Sequence, residues 1–208
     1  MEDVLEVYRR PYDPKHPQVC IDETSKQLLE HTRIPIPASA GMPARVDDEY
    51  RRCGTANIFL CVEPLTGRTI IKATERRAKI DFAHFVRDLC DGPFHEAEKL
   101  VVVMDNLNTH STASLYEAFP PDEARRLAEK LEIHHTPKHG SWLDIAEIGL
   151  SVLARQCLHQ RIASLEDLKK ILRDWEEQHN AEPHAISWQF KTEDARIKLR
   201  RLYPILET

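Results

Sequence analysis

Three acidic residues stand where a fold could gather them. Asp22 closes the apolar run Val19-Cys20-Ile21, Asp105 closes Val101-Val102-Val103-Met104, and Glu147 lies on a helix-like stretch that starts at Trp142. A carboxylate at the C-terminal end of a buried strand sits at the open rim of a sheet, where α/β folds bind ligands. Three converging carboxylates repel one another unless a divalent cation holds them. Oxygen-only ligand sets suit Mg²⁺ or Mn²⁺, and two such ions support in-line phosphoryl transfer. The pattern points to metal-dependent cutting of a nucleic acid, with Asp22, Asp105 and Glu147 as catalytic residues and metal ligands.

Each acid also has a plainer reading. An Asp that ends a strand is often a turn former or a helix cap. Asp105 carries more weight because it opens the polar cluster Asp105-Asn106-Leu107-Asn108-Thr109-His110. Glu147 could lie on a solvated helix face, but Leu143, Ile148, Leu150 and Leu153 predict a largely buried helix, and a buried acid needs a partner. Asp144 lies one turn earlier on nearly the same face and is an auxiliary candidate. Candidates for contact with DNA or phosphate are Lys138 and His139, just before that helix, and His110, which could also orient a metal-bound water or cap a helix. Arg76 and Arg77 join them from a basic cluster with Lys72 and Lys79.

The chain has 208 residues and a formal net charge of −5, so one domain with at most a small appendage is expected. Affinity for a phosphate backbone comes from Lys and Arg displacing counterions. The cluster at 72–79 and a second one, Arg196, Lys198, Arg200 and Arg201, only partly answer the acidic balance. Five scattered cysteines without a Cys-x-x-Cys pair read as reduced thiols. No apolar run is long enough to cross a membrane, and the acidic N-terminus is no signal peptide, so a cytoplasmic, nucleoid-associated protein is expected. Eleven histidines invite zinc, but His134 and His135 point to opposite faces of a strand and no zinc spacing accompanies them. A serine hydrolase lacks its Gly-x-Ser-x-Gly.

Along the chain, residues 1–17 are polar and Pro-rich and read as a linker or lead-in. A short strand is expected at 18–24, an irregular insertion at 31–55, and a hairpin from 57–62 and 68–73. A helix follows that Gly92-Pro93 stops, then strands at 100–104 and 132–135 with a charged helix at 123–131 between them. Helices are expected at about 142–158 and from Ser164 to Gln178, where Ser164 supplies an N-cap signal, and a helical tail covers 183–208. Residues 18–182 form the catalytic unit. This order predicts an α/β fold with a mixed central sheet of about five strands flanked by helices.

With these motifs quoted, the chain resembles the catalytic half of a DDE transposase, in the bacterial insertion-sequence branch of the mariner-like superfamily. The resemblance rests on Cys20-Ile21-Asp22-Glu23-Thr24-Ser25, on Met104-Asp105-Asn106-Leu107-Asn108-Thr109-His110, and above all on Thr136-Pro137-Lys138-His139-Gly140-Ser141-Trp142-Leu143-Asp144-Ile145-Ala146-Glu147. The interval from Asp105 to Glu147 and the tail Asn180-Ala181-Glu182-Pro183-His184 through Trp188-Gln189-Phe190 fit it too. It implies a ribonuclease-H-like (retroviral-integrase) fold and a triad of Asp22, Asp105 and Glu147 holding two Mg²⁺ or Mn²⁺ ions. It also implies cleavage and strand transfer at transposon terminal inverted repeats, target DNA as a second substrate, and a homodimer. Two departures stand out. The family usually has Asn where this chain has Asp144, and a helix-turn-helix half, missing here or encoded separately, normally precedes the first acid. The alternative is a truncated, non-catalytic transposase fragment that binds DNA or dimerises.

Overall fold

Val19 to Ile21 and Leu100 to Met104 are apolar runs, and in the computed structural model they lie side by side at the centre of a five-stranded sheet. The structure describes residues 1–107, 110–138 and 140–202. Its strands are β1 (Gln18–His31), β2 (Tyr50–Glu63), β3 (Arg68–Thr74), β4 (Leu100–Met104) and β5 (Leu131–His135), in the spatial order β3-β2-β1-β4-β5. β1, β2 and β3 run antiparallel, and β1, β4 and β5 run parallel. A parallel strand is covered on both faces by its crossover helices, which explains why all five residues of β4 are apolar and buried.

Side chains alternate across the sheet, and the two faces bury separate cores. Cys20, Ile58, Leu60, Val62, Val101 and Val103 face helices α1 (Glu2–Arg9), α5 (Ile145–Gln156), α6 (Leu165–Ala181) and α7 (Thr192–Lys198). Val19, Ile21, Phe59, Cys61, Val102 and Met104 face α2 (Lys79–Asp91), α3 (Ala113–Ala118) and α4 (Pro121–Lys130). Each fully buried Leu, Ile or Phe in these layers contributes roughly 1.5–3 kcal/mol of transfer free energy.

Several expectations change. Residues 1–17 are not simply a lead-in: α1 buries Val4, Leu5 and Val7 in the first core. β1 does not stop at residue 24 but continues to His31 against β2, whose first residues come from the segment expected to be irregular. Only the stretch between these strands lacks regular structure, apart from the isolated bridges Ile36 with Arg45 and Ser39 with Met42. Helix α3 was not anticipated. The helix expected from 142 begins as a 3-10 turn at Ser141–Leu143 and becomes α-helical only at Ile145. Ser164 caps α6 as expected, its side chain accepting from the Asp167 backbone N–H. The tail is helical only at 192–198 and in a 3-10 turn at 200–202, and residues 203–208 lie outside the described residues.

Candidate active site

The site is built where β1 and β4 part. Their parallel pairing runs from Gln18 with Val101 to Ile21 with Met104, so Asp22 and Asp105 take the next position on each strand. Asp22 is therefore not at the tip of its strand, as expected; it marks the point where β1 outruns β4 while remaining paired to Leu60 of β2. By alternation Asp22 falls on the Cys20 face, the face that α5 covers. Its Oδ1 accepts from the Glu23 N–H at 2.8 Å.

Helix α5 brings the third acid. Asp144 is its N-cap, buried, with Oδ1 accepting from the Ala146 N–H at 2.9 Å. Glu147 sits in the first turn, where a negative charge is favoured by the helix dipole. It is exposed, as is Ile148, and the buried side of α5 is instead Ile145, Ala146 and Leu153. The expectation of a largely buried helix around Glu147 is thus corrected: the acid points to the solvent-facing rim. Two contacts fix this helix. A Cβ on Gly149 would stand 2.9 Å from Val62 Cγ2 and 3.0 Å from Leu60 Cδ2, so glycine lets α5 lie directly on β2. Tyr8 of α1 donates its hydroxyl to the Leu143 carbonyl at 2.6 Å, anchoring the turn that leads into α5.

His110 does something other than expected. Its side chain is fully buried, with Nδ1 2.6 Å from Asp105 Oδ1 and Nε2 2.5 Å from Glu23 Oε2. The ring lies 4.9 Å from that of Phe82. With both nitrogens engaged it is not available to DNA, and it caps no helix, since the cap of α3 is Thr112. Glu23, absent from the sequence-based candidates, has a side chain only 3% exposed and is also 3.6 Å from Arg77 Nη1. Its placement follows from alternation: next to Asp22 on β1, it must face the opposite side. Arg76, Arg77 and Lys138 are exposed; His139 lies outside the described residues. Of the basic cluster, Lys72 pairs with Asp88 and Lys79 with Glu117, and in the second cluster Arg196 pairs with Glu2. His135, which the sequence brought up only as a rejected zinc ligand, lies beside Asp105. Its Nδ1 lies 3.1 Å from the Asp105 carbonyl, because β5 ends beside β4.

The acids share one electrostatic field. Burial, and then the charges of Glu23 and Asp105, push the Asp22 carboxyl up to about 6, against a backbone hydrogen bond that lowers it. Asp105 goes the other way, held below the usual carboxylate range chiefly by its hydrogen bond to His110. Burial alone would depress the His110 pKa, but the two carboxylates outweigh it and hold the imidazole up at about 9. Burial drives Asp144 well above the carboxylate range, and Asp22, Asp105 and Glu147 all add to that rise. Its Oδ2 is buried with no hydrogen-bond partner among the described residues.

A divalent cation fits this chemistry. Carboxylate oxygens are donors of the kind Mg²⁺ and Mn²⁺ take, and His110, with His135 near Asp105, offsets part of the repulsion among them. Among the described residues, however, no three carboxylate, imidazole or thiol groups are gathered closely enough to grip an ion as they stand.

Comparison with known proteins agrees with the fold. The chain superposes on the Mos1 strand transfer complex with a TM-score of 0.56 at 16% identity, covering 84% of this chain and 51% of that one. The Mos1 mariner paired-end complex with Mn gives 0.54 at 19% identity, covering 86% and 52%. A simian T-cell lymphotropic virus intasome gives 0.50 at 12% identity, covering 96% and 60%. The chain thus spans about half the length of the Mos1 chains, and at these identities the likeness concerns the ribonuclease-H-like integrase fold. No curated protein sequence matches. The family description of the DDE superfamily endonucleases matches residues 17–169, most of the chain. The chain belongs to the DDE superfamily endonucleases.

Proposed function

We propose that this chain is the catalytic domain of a transposase, which cuts DNA strands at transposon ends and joins them to target DNA. Asp22, Asp105 and Glu147 would hold two Mg²⁺ or Mn²⁺ ions. The observation that carries this reading is the shared field of Asp22, Asp105, Asp144 and Glu147 at the parting of β1 and β4. Burial and the charges of neighbouring acids raise the Asp22 and Asp144 carboxyls, and a cation relieves that repulsion.

When bound, such ions activate a water or a DNA 3′-hydroxyl and neutralise charge on the leaving oxygen. The chain's own residues do the rest. On this reading β1, β4 and α5 supply Asp22, Asp105 and Glu147. Lys138, Arg76 and Arg77 stand exposed for phosphate oxygens. Asp144, whose carboxyl burial raises well above the usual range, caps α5 beside Glu147. The net charge of −5 leaves much of the DNA affinity to a helix-turn-helix recognition part. Residues 18–182 would act as the catalytic unit with the tail packed on it. No helix among the described residues is long and apolar enough to cross a membrane, consistent with action on DNA at the nucleoid.

A second reading, a transposase fragment that only binds DNA or dimerises, draws on the lack of a ready ion cage among the described residues. Purified protein given Mn²⁺ and nicked or pre-cut transposon ends separates the two. Metal-dependent strand cleavage or joining that disappears in Glu147→Gln supports the enzyme. Binding of the same DNA with no new ends in Mn²⁺ supports the binder.

A further inference from the structure

We propose that His110 is a positioning residue: its buried imidazole, oriented by Glu23, holds Oδ1 of Asp105 and reserves Oδ2 for a divalent cation. The inference rests on the reading of Asp105 as a metal ligand. A carboxylate turns broadly about its last torsion, so an untethered Asp presents either oxygen in many directions. Here Oδ1 accepts from His110 Nδ1 at 2.6 Å and from the Leu107 N–H at 3.2 Å. No hydrogen bond joins Oδ2 to the described residues. The tether itself cannot swing. Its far nitrogen is held by Glu23 at 2.5 Å, Glu23 is steadied at 3.6 Å by Arg77, and the ring lies against Phe82.

Stability alone does not account for this arrangement. Burying two charged side chains, His110 and Glu23, costs much of what their attraction returns, and apolar residues of the same volume commonly do as well. What the pair supplies is a fixed direction for one oxygen of Asp105. Groups that orient a metal ligand through its other side act in this way, and their loss typically weakens metal affinity by about 10–100-fold.

Two substitutions at one position separate orientation from packing. In His110→Asn the amide nitrogen takes the place of Nδ1 and still reaches Asp105. In His110→Gln it takes the place of Nε2, reaching Glu23 but not Asp105. Mn²⁺ affinity is measured by calorimetry, and metal-free stability by melting in EDTA. His110→Gln is expected to weaken Mn²⁺ binding by roughly 10–100-fold and His110→Asn by less than about threefold, with similar melting temperatures for the two metal-free variants. If neither variant folds, Glu23→Gln, which keeps the shape of the pair, is expected to weaken Mn²⁺ binding by at least about threefold. Affinity losses that simply track the stability losses, or unchanged affinity in His110→Gln or Glu23→Gln, overturn the proposal while leaving the metal site standing. A wild-type protein that binds no Mn²⁺ at millimolar concentration overturns both.

Discussion

Asp22 and Asp105 occupy the same level of adjacent parallel strands, yet their surroundings drive them apart. Asp22 has burial and acidic neighbours against it, and only a backbone N–H in its favour within the first contacts, so its carboxyl rises to about 6. Asp105 is more open and has an imidazole on one oxygen, so its carboxyl falls below the usual range. One acid of the rim is anchored by an imidazole; the other has a backbone N–H and a more distant His110 against burial and two acidic neighbours. Environments that separate two like groups in this way are a mark of functional sites. On the proposed reading this contrast is a division of labour: the protein orients Asp105 in advance, whereas a cation would relieve the burial and repulsion that raise Asp22.

The largest effect should come from removing either acid from the reaction. Asp22→Asn, Asp105→Asn and Glu147→Gln should each lower Mn²⁺-dependent strand cleavage by about a thousandfold, as when a group that stabilises developing charge is lost. A variant of any of the three that still cleaves within tenfold of wild type removes that residue from the triad.

Metal binding should show in stability before any DNA is added. A cation at about a hundred times its Kd stabilises the native state by about 2.7 kcal/mol, which for a chain of this size raises Tm by roughly 5–10 °C. Asp105→Asn should blunt this shift. A wild-type melting curve that ignores millimolar Mn²⁺ would break the link between the acid field and a cation.

Without metal, the two acids should act on stability with opposite sign. The raised Asp22 pKa means that the native state binds its proton more tightly than the unfolded chain. Stability therefore falls as pH rises from about 4 to about 6 and stays lower above. In EDTA, Asp22→Asn should stabilise the protein at pH 7 by roughly 1–2 kcal/mol, discounted for partial exposure, and gain little at pH 3.5. Asp105 has a lowered pKa, so its contribution is present above the unfolded value and lost as pH falls. Asp105→Asn should cost about 1 kcal/mol at pH 7 and less in acid. Shifts of the same sign in both variants, read from denaturant titrations, would erase the comparison.

How much of this could be read from the sequence depended on how local the cause was. β4 and Asp105 were legible because five consecutive apolar residues have few alternatives to a central strand. The Ser164 cap was legible because a cap and its partner lie within one turn. β1 was truncated in the reading because beyond Ile21 it loses β4 and exposes one face, so its apolar run ends while its pairing with β2 continues. Helix α1 was missed among prolines, although its buried residues Val4, Leu5 and Val7 share a helical face. The tie between His110 and Glu23 spans 87 residues and could not be seen until the strands were placed. The burial expected around Glu147 is not there: its helix is fixed by Gly149 and Tyr8 rather than by apolar neighbours of the acid.

The smallest effect is expected at Asp144. Its Oδ1 caps α5, a role an amide oxygen of the same shape can keep, and burial raises its carboxyl well above the usual range. Asp144→Asn should change stability by less than about 0.5 kcal/mol, whereas Asp144→Ala loses the cap and costs about 1 kcal/mol. Cleavage at pH 7 should stay near wild type or rise slightly in the Asn variant. A large drop in rate with weakened Mn²⁺ binding would instead make Asp144 a ligand.

The central claim is that Asp22, Asp105 and Glu147 together hold the divalent ions, and the most direct measurement is anomalous scattering from a crystal of the protein grown with Mn²⁺. The account predicts Mn²⁺ peaks at the parting of β1 and β4, bonded to Asp22 and to Oδ2 of Asp105, with Glu147 turned toward them and His110 still on Oδ1. Peaks elsewhere, or a site that contacts none of the three acids, would contradict it.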